Sequence, residues 1–282
     1  MSQSATNRAM LPIMAAKLSP QERALLNLLS TPAQFCDAVL HNKDGTPRTL
    51  WPNQRKSIDC RDRFVIHQDA TEVGKTIEIA GLLLHFLATT RGGSCLVAAP
   101  NTAHLIEIIN ELEYQIGESP ILPQFLAGGS FQKAITKQPY YTIKSMYKSV
   151  VSFRPAGKDG NAYKSMHVDV IIADEAAGIS RRAWNQLFKR LNPGGVFRAY
   201  SYPDGRRDTP YYEHTQKTAE AFYEDSPDPN SWRSGNWRVF HFPMSVRPDW
   251  TPAREEEQAR EFGGRDTPDY QHKVLGIHGT PS

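Results

Sequence analysis

Hydrophobic residues in this chain gather into short unbroken runs separated by longer stretches of mixed character. Phe64-Val65-Ile66 is one such run, and Cys95-Leu96-Val97-Ala98-Ala99, stopped by Pro100, is a second. Others lie at 150–153, 168–173, 196–201 and 237–242. A strand that is apolar at consecutive positions has both faces buried, so these runs predict the strands of a parallel sheet. Between them the apolar spacing changes to three and four. Ile77, Ala80, Gly81, Leu84 and Leu87 form one stripe of a helix predicted over 75–90, and further helices are expected over 102–116, 181–191 and 252–262. Strands alternating with helices predict an α/β fold, a mainly parallel sheet with helices on both faces.

The first 50 residues read as a helical lead-in and 51–282 as one domain. Ser19-Pro20 followed by Gln21-Glu22 suits a helix start, with Leu25, Leu26, Leu28 and Leu29 on its buried side, and 42–47 is a turn-rich break. The segment 156–165 is a polar loop. Segments 226–231 and 244–252, rich in Pro, Asp and Ser, read as surface excursions within the domain. There is no internal repeat and no low-complexity tract.

Composition narrows the class. Of 282 residues, 39% are hydrophobic and 22% charged, a globular rather than a disordered balance. The longest nearly apolar stretch, 77–88, contains Glu78 and His85 and is too short to span a bilayer, so no membrane partner is expected. The N-terminus lacks a basic region followed by an apolar one, so no secretory leader is expected. Cys36, Cys60 and Cys95 are scattered, outside any zinc spacing, which fits a reducing, cytoplasmic setting. The net charge of +3 permits a nucleic-acid partner without arguing for one.

The strongest local chemistry is Asp69-Ala70-Thr71-Glu72-Val73-Gly74-Lys75-Thr76, between a predicted strand and a predicted helix. A phosphate-binding loop belongs there, because backbone N–H groups and the helix N-terminus supply positive potential to an anion. Gly74 lets the backbone approach phosphate, Lys75 supplies a point charge, and the Thr76 hydroxyl suits Mg²⁺. The full pattern asks for Gly at the first position, where this chain has Asp69. The run Val168–Ala173 ends in Asp174-Glu175. Two carboxylates at a strand's carboxyl end suit a nucleotide hydrolase, with Asp174 on Mg²⁺ and Glu175 activating water. Trp51-Pro52-Asn53-Gln54 precedes the first strand, where the Gln54 amide suits an adenine edge, with Trp51 or Arg55 over the ring.

Gln54, the degenerate phosphate loop, Val97-Ala98-Ala99-Pro100-Asn101 and Asp174-Glu175-Ala176-Ala177, in that order, resemble the ATPase domain of the phage terminase large subunit. Ser201-Tyr202-Pro203-Asp204-Gly205, with Tyr211-Tyr212 after it, is similar to that family's coupling motif. Asp269-Tyr270-Gln271-His272-Lys273-Val274-Leu275-Gly276 is similar to the segment closing its ATPase domain. The resemblance runs from about Leu50 to Gly276. It implies a RecA-like sheet of the additional-strand type and ATP hydrolysis driving double-stranded DNA into a procapsid. It implies ATP and Mg²⁺ held by Thr71, Glu72, Val73, Gly74, Lys75 and Thr76, with Lys75 and Glu175 catalytic and Thr76 and Asp174 on the metal. It also implies that Ser201 binds the nucleotide and senses its terminal phosphate. The implied partners are DNA, a portal protein, a terminase small subunit and further copies in a ring.

Two departures bear on this. Many members carry an arginine within the loop, where this chain has Thr71 or Glu72, so a charge-stabilising arginine must come from elsewhere or from a neighbouring subunit. Arg154, Arg181 and Arg182 are candidates. The acidic residues after Gly205 lie in turns or in Glu255-Glu256-Glu257, so no nuclease site is expected. Lys158, Lys164, Arg206 and Arg207 are candidates for DNA phosphates. The rival readings are the first lobe of a superfamily-2 helicase, sharing Gln54, the loop and Asp174-Glu175, and a non-catalytic nucleotide-binding module, which Asp69 keeps open.

Overall fold

The computed structural model describes residues 31–217 and 230–279. In chain order the elements are α1 (Pro32–Val39), α2 (Pro52–Ile58), β1 (Phe64–Gln68), α3 (Lys75–Thr89), β2 (Ser94–Ala99), α4 (Thr102–Glu118), α5 (Phe131–Ala134), β3 (Ile135–Thr136), β4 (Thr142–Lys144), β5 (Val150–Pro155), β6 (Val168–Ala173), α6 (Arg181–Arg190), β7 (Leu191–Ser201), α7 (Pro210–Thr215), β8 (Ser231–Ser234), β9 (Trp237–Phe240), α8 (Pro252–Glu261) and α9 (Pro268–Lys273). The helix start expected at Ser19-Pro20, with its four leucines, lies outside the described residues, as do 226–229.

One nine-stranded sheet runs in the order β3-β4-β5-β2-β6-β7-β1-β9-β8. The six strands from β5 to β9 are mutually parallel. The antiparallel additions are β3 and β4 at one edge and β8 at the other. Side chains alternate between the two faces of a strand. Cys95, Val97 and Ala99 therefore join one core with α1, α3 and α4, while Leu96 and Ala98 join the other with Ala183, Trp184 and Leu187 of α6. Ile172 and Tyr200 face the first core, and Ile171, Ala173, Phe197 and Ala199 the second. The unbroken apolar runs follow from this double burial.

Helix starts are locally specified. Asn101 caps α4 by accepting from the N–H of Ala103 at 2.9 Å. Ser180, Thr251 and Thr267 cap α6, α8 and α9 in the same way. The α1 side chains Phe35, Cys36 and Val39 share the first core with α3, so the sheet's core begins upstream of residue 50. The segment 244–252 departs from the expected surface excursion. Met244 is buried and packs with Phe242, Tyr270 and Val274 in a third cluster beneath β1. Its backbone is fastened to α9's exit through Met244 N–H to Val274 O at 2.9 Å. An apolar residue every second position here serves an irregular strap rather than a strand.

Topology decides what lies together. β7 sits between β1 and β6, with Gln68 opposite Ser201 and Ala173 opposite Ala199. The carboxyl ends of β1, β7 and β6 thus share one edge of the sheet, where parallel α/β folds bind ligands.

Candidate nucleotide site

The loop that follows β1 is fixed from several sides. Asp69 N–H donates to Ser201 O at 3.0 Å, Ala70 N–H to Phe242 O at 2.8 Å, and Thr71 N–H to Lys273 O at 2.8 Å. The Thr71 hydroxyl also donates to Lys273 O, at 3.1 Å. Thr71 thus spends both its donors on the last residue of α9. Gly276 closes against the same turn, where a Cβ would stand 2.7 Å from Ala70 N.

Glu72 holds a left-handed backbone at φ 56°, uncommon for a residue with a side chain. Gly74 does so at φ 86°, and there only glycine fits, because a Cβ would lie 2.2 Å from Gln54 Nε2. Helix α3 starts at the next residue. Its first turn leaves the N–H groups of Lys75, Thr76 and Ile77 without acceptors inside the helix, and Glu78 N–H is the first to close, onto Gly74 O at 3.2 Å. Lys75 folds back across the loop, donating from Nζ to Ala70 O at 2.8 Å, with the Tyr202 ring 5.9 Å away.

Gln54 is almost wholly buried at 1% exposure. Its Oε1 accepts from Trp51 N–H at 3.0 Å, and its Nε2 donates to Val73 O and Gly74 O at 3.4 and 3.3 Å. The amide expected to meet an adenine edge is instead engaged at both ends within the chain, as the cap of α2 and a clamp on the phosphate loop. Arg55, one of the two residues expected over the adenine ring, pairs with Asp37, and Arg48 stands over the ring of the other, Trp51, at 6.0 Å.

Asp174 and Glu175 follow β6. Burial and the neighbouring Glu175 charge push the Asp174 carboxyl up to about 7, while Lys75 opposes the rise. Glu175 sits at φ 46°, again left-handed. Such conformations persist only where the surroundings hold them. Here the holder includes Ser201, whose Oγ donates to Glu175 Oε2 at 3.3 Å. Lys75, Asp174, Glu175 and Ser201 are thereby brought to one edge, with Thr76 next to Lys75. The donor set around Asp174 suits a hard cation: a buried carboxylate whose charge is under-compensated, beside a second carboxylate. Among the described residues there is no cluster of three or more His, Cys, Asp or Glu able to hold a metal on its own, so such an ion needs further oxygen ligands.

Sequence reasoning missed what lies beneath the loop. His67 Nδ1 meets Asp69 Oδ2 at 3.0 Å, and its Nε2 meets Ser57 Oγ at 2.6 Å. Ser57 Oγ also bonds Glu78 Oε1 at 2.6 Å, which accepts from Tyr200 OH at 2.9 Å. Asp69 Oδ1 accepts from Phe242 N–H at 3.2 Å. All these side chains are buried, and burial raises the Glu78 carboxyl above its usual range. The residue that breaks the glycine pattern is therefore a strut. The signal was present as His67, Asp69 and Glu78 inside otherwise apolar runs.

The candidate arginines are mostly engaged elsewhere. Arg154 donates to Ala162 O at 2.6 Å and stacks over Tyr140, and Arg181 pairs with Glu213. Arg182 is exposed and pairs with Asp159 at 3.3 Å. A residue outside that set, Arg247, reaches the phosphate loop and pairs with Glu72. Of the basic residues considered for DNA, Lys158 and Lys164 are exposed, Arg206 pairs with Asp204, and Arg207 donates to Gly279 O at 2.9 Å.

No family model matches the sequence, and no curated protein matches it. Solved structures match by shape. The HK97 bacteriophage large terminase is similar with a TM-score of 0.58 at 14% identity, over 89% of this chain and 55% of that one. The Thermus phage P74-26 large terminase ATPase domain gives 0.56 at 15% identity, over 83% and 94%. The large terminase of a thermophilic bacteriophage in complex with ATP-γ-S gives 0.56 at 16% identity, over 82% and 53%. The chain spans about half the length of the whole large terminases it matches and nearly all of the separate ATPase domain. Among the described residues no helix is long and apolar enough to cross a membrane.

Proposed function

The chain has the RecA-like fold of phage large-terminase ATPase domains, and from that premise we propose that it hydrolyses ATP and couples the reaction to movement of double-stranded DNA. The observation that carries the reading is the meeting of Lys75, Asp174, Glu175 and Ser201 where β1, β6 and β7 end, with β7 interposed. A related large terminase was solved with ATP-γ-S, which supports a nucleotide as the ligand here.

In this reading the first-turn amides of α3 and the Lys75 ammonium bind the β- and γ-phosphates. Lys75 exchanges its bond to Ala70 O for phosphate oxygen, a stronger charge-assisted bond. Thr76 and Asp174 are the residues that would hold Mg²⁺, which would supply neutralisation of charge developing on the phosphates. Glu175 accepts a proton from the attacking water, and the Ser201 hydroxyl fixes which oxygen does so. Ser201 also ties this carboxylate to β7, so loss of the terminal phosphate alters a contact at the head of 202–205 and α7. A phage packaging motor places these events in the host cytoplasm, with a portal, a small subunit and further copies as partners.

Phosphate release from ATP with Mg²⁺ tests the reading. Wild-type chain is expected to turn over slowly when dilute and faster when assembled, and Lys75→Ala to be inactive. Turnover in Lys75→Ala equal to wild type removes the loop assignment. A rate per subunit that ignores concentration removes the need for a neighbouring arginine.

A further inference from the structure

The phosphate loop has one acidic side chain at its tip and one arginine against it. Glu72 is exposed, 65% of its side chain facing solvent, and its backbone is left-handed. Arg247 is 13% exposed and comes from the strap 244–252 that follows β9. Asp249 holds two of its three guanidinium nitrogens: Nε donates to Oδ1 and NH2 to Oδ2, both at 3.0 Å. The third, NH1, bonds Glu72 Oε2.

The strap itself is tied down. Trp250 N–H donates to Arg247 O at 3.1 Å, and Arg247 N–H to Met244 O at 3.0 Å. The guanidinium is therefore oriented before any ligand arrives, whereas Glu72 is held by a single contact of an otherwise free side chain.

Charge makes the pairing consequential. Asp174, Glu175 and Glu72 stand around the loop against the single ammonium of Lys75, and a nucleoside polyphosphate adds several negative charges. An anion entering there gains from any further cation within reach. We propose that Arg247 is a polyphosphate-binding residue of this site, kept occupied by Glu72 as an internal anion until nucleotide phosphate displaces it; this rests on the nucleotide reading above. The Glu72 carboxylate is largely in solvent, so its side of the pair is screened and loses side-chain entropy, while a guanidinium bond to phosphate is charge-assisted and directional. The exchange therefore runs toward phosphate. No covalent step is involved, only the transfer of NH1 from one oxygen anion to another.

Titration with fluorescent mant-ADP, with circular dichroism as the check on folding, tests this in the full chain. Arg247→Ala is expected to weaken binding about tenfold, the scale of one charge-assisted contact. Glu72→Gln is expected to tighten it several-fold, and that gain should vanish in the Arg247→Ala background. If Arg247→Ala does not fold, Arg247→Lys, which keeps a cation but loses the fork, takes its place with the same expectations. Wild-type affinity in the arginine variant overturns the proposal. So does a Glu72→Gln gain that survives without Arg247, since the acid then acts only by its charge. A wild-type chain that binds no mant-ADP at all overturns the nucleotide reading and this inference with it, an outcome distinct from the other two.

Discussion

Ser201 Oγ lies 3.3 Å from Glu175 Oε2, so a hydroxyl at the end of β7 holds the carboxylate that follows β6. Ser201 ends β7 and Glu175 follows the neighbouring parallel strand β6, where it adopts a left-handed backbone at φ 46°. One carboxylate oxygen is thereby engaged by the hydroxyl. Glu175→Gln is expected to retain nucleotide binding and lose turnover by about 10²–10⁴, the usual scale for a general base. Ser201→Ala is expected to lower kcat with little change in KM, since it disturbs the orientation of the base and not the phosphate cradle. Steady-state phosphate release together with equilibrium nucleotide binding separates the two outcomes.

Asp69 stands where the phosphate-loop pattern has glycine, and both its oxygens are used, one by His67 and one by the Phe242 amide. Restoring the pattern with Asp69→Gly leaves those two buried donors without partners. The expected result is a loss of about 1–3 kcal/mol of stability, the cost of stranding buried polar groups. Chemical denaturation measures it. A variant as stable as wild type shows that the strut is dispensable.

Gly74→Ala meets two obstacles, a positive φ and the Gln54 amide 2.2 Å from the new Cβ. A destabilisation of about 1–2 kcal/mol is expected from the backbone alone, and more from displacing Gln54. Because the two residues touch, their effects should not add. Gly74→Ala in a Gln54→Ala background should cost less than in wild type, as a denaturation double-mutant cycle would read.

Asp174 gives the stability a pH signature. Its carboxyl is raised to about 7 in the fold from an ordinary 3.8, by burial first and the Glu175 charge second. Between those values the folded chain keeps a proton that the unfolded chain has released. Stability from this group therefore falls as pH rises from about 4 to about 7 and is flat above it. Asp174→Asn is expected to remove that fall, raising the melting temperature at pH 8 relative to wild type while leaving the two close near pH 4. Thermal unfolding of both chains across that range checks the sign.

The strands and helices that make up the sheet's centre were legible because double burial writes itself as unbroken apolar runs. Val168–Ala173 and the 102–116 helix appear with bounds moved by two residues at most, the latter as Thr102–Glu118. What escaped were pieces with too few residues to carry a period: Ile135–Thr136, Thr142–Lys144 and Ser231–Ser234, all antiparallel additions outside the parallel centre. In the site, residues adjacent in sequence to the loop were visible and distant partners were not. Gln54 was read as a ligand group because its acceptors, Val73 O and Gly74 O, lie some twenty positions on and are backbone atoms that no residue type announces. Arg247 escaped for the same reason, being 175 positions from Glu72.

The Tyr211 hydroxyl stands 3.1 Å from His67 O and 3.0 Å from Ser201 O, the last turns of two adjacent strands. A single phenol thus links carbonyls at the ends of β1 and β7. The short helix that carries Tyr211 is thereby fastened to both strand ends at once, so the two ends and the helix are joined through one side chain.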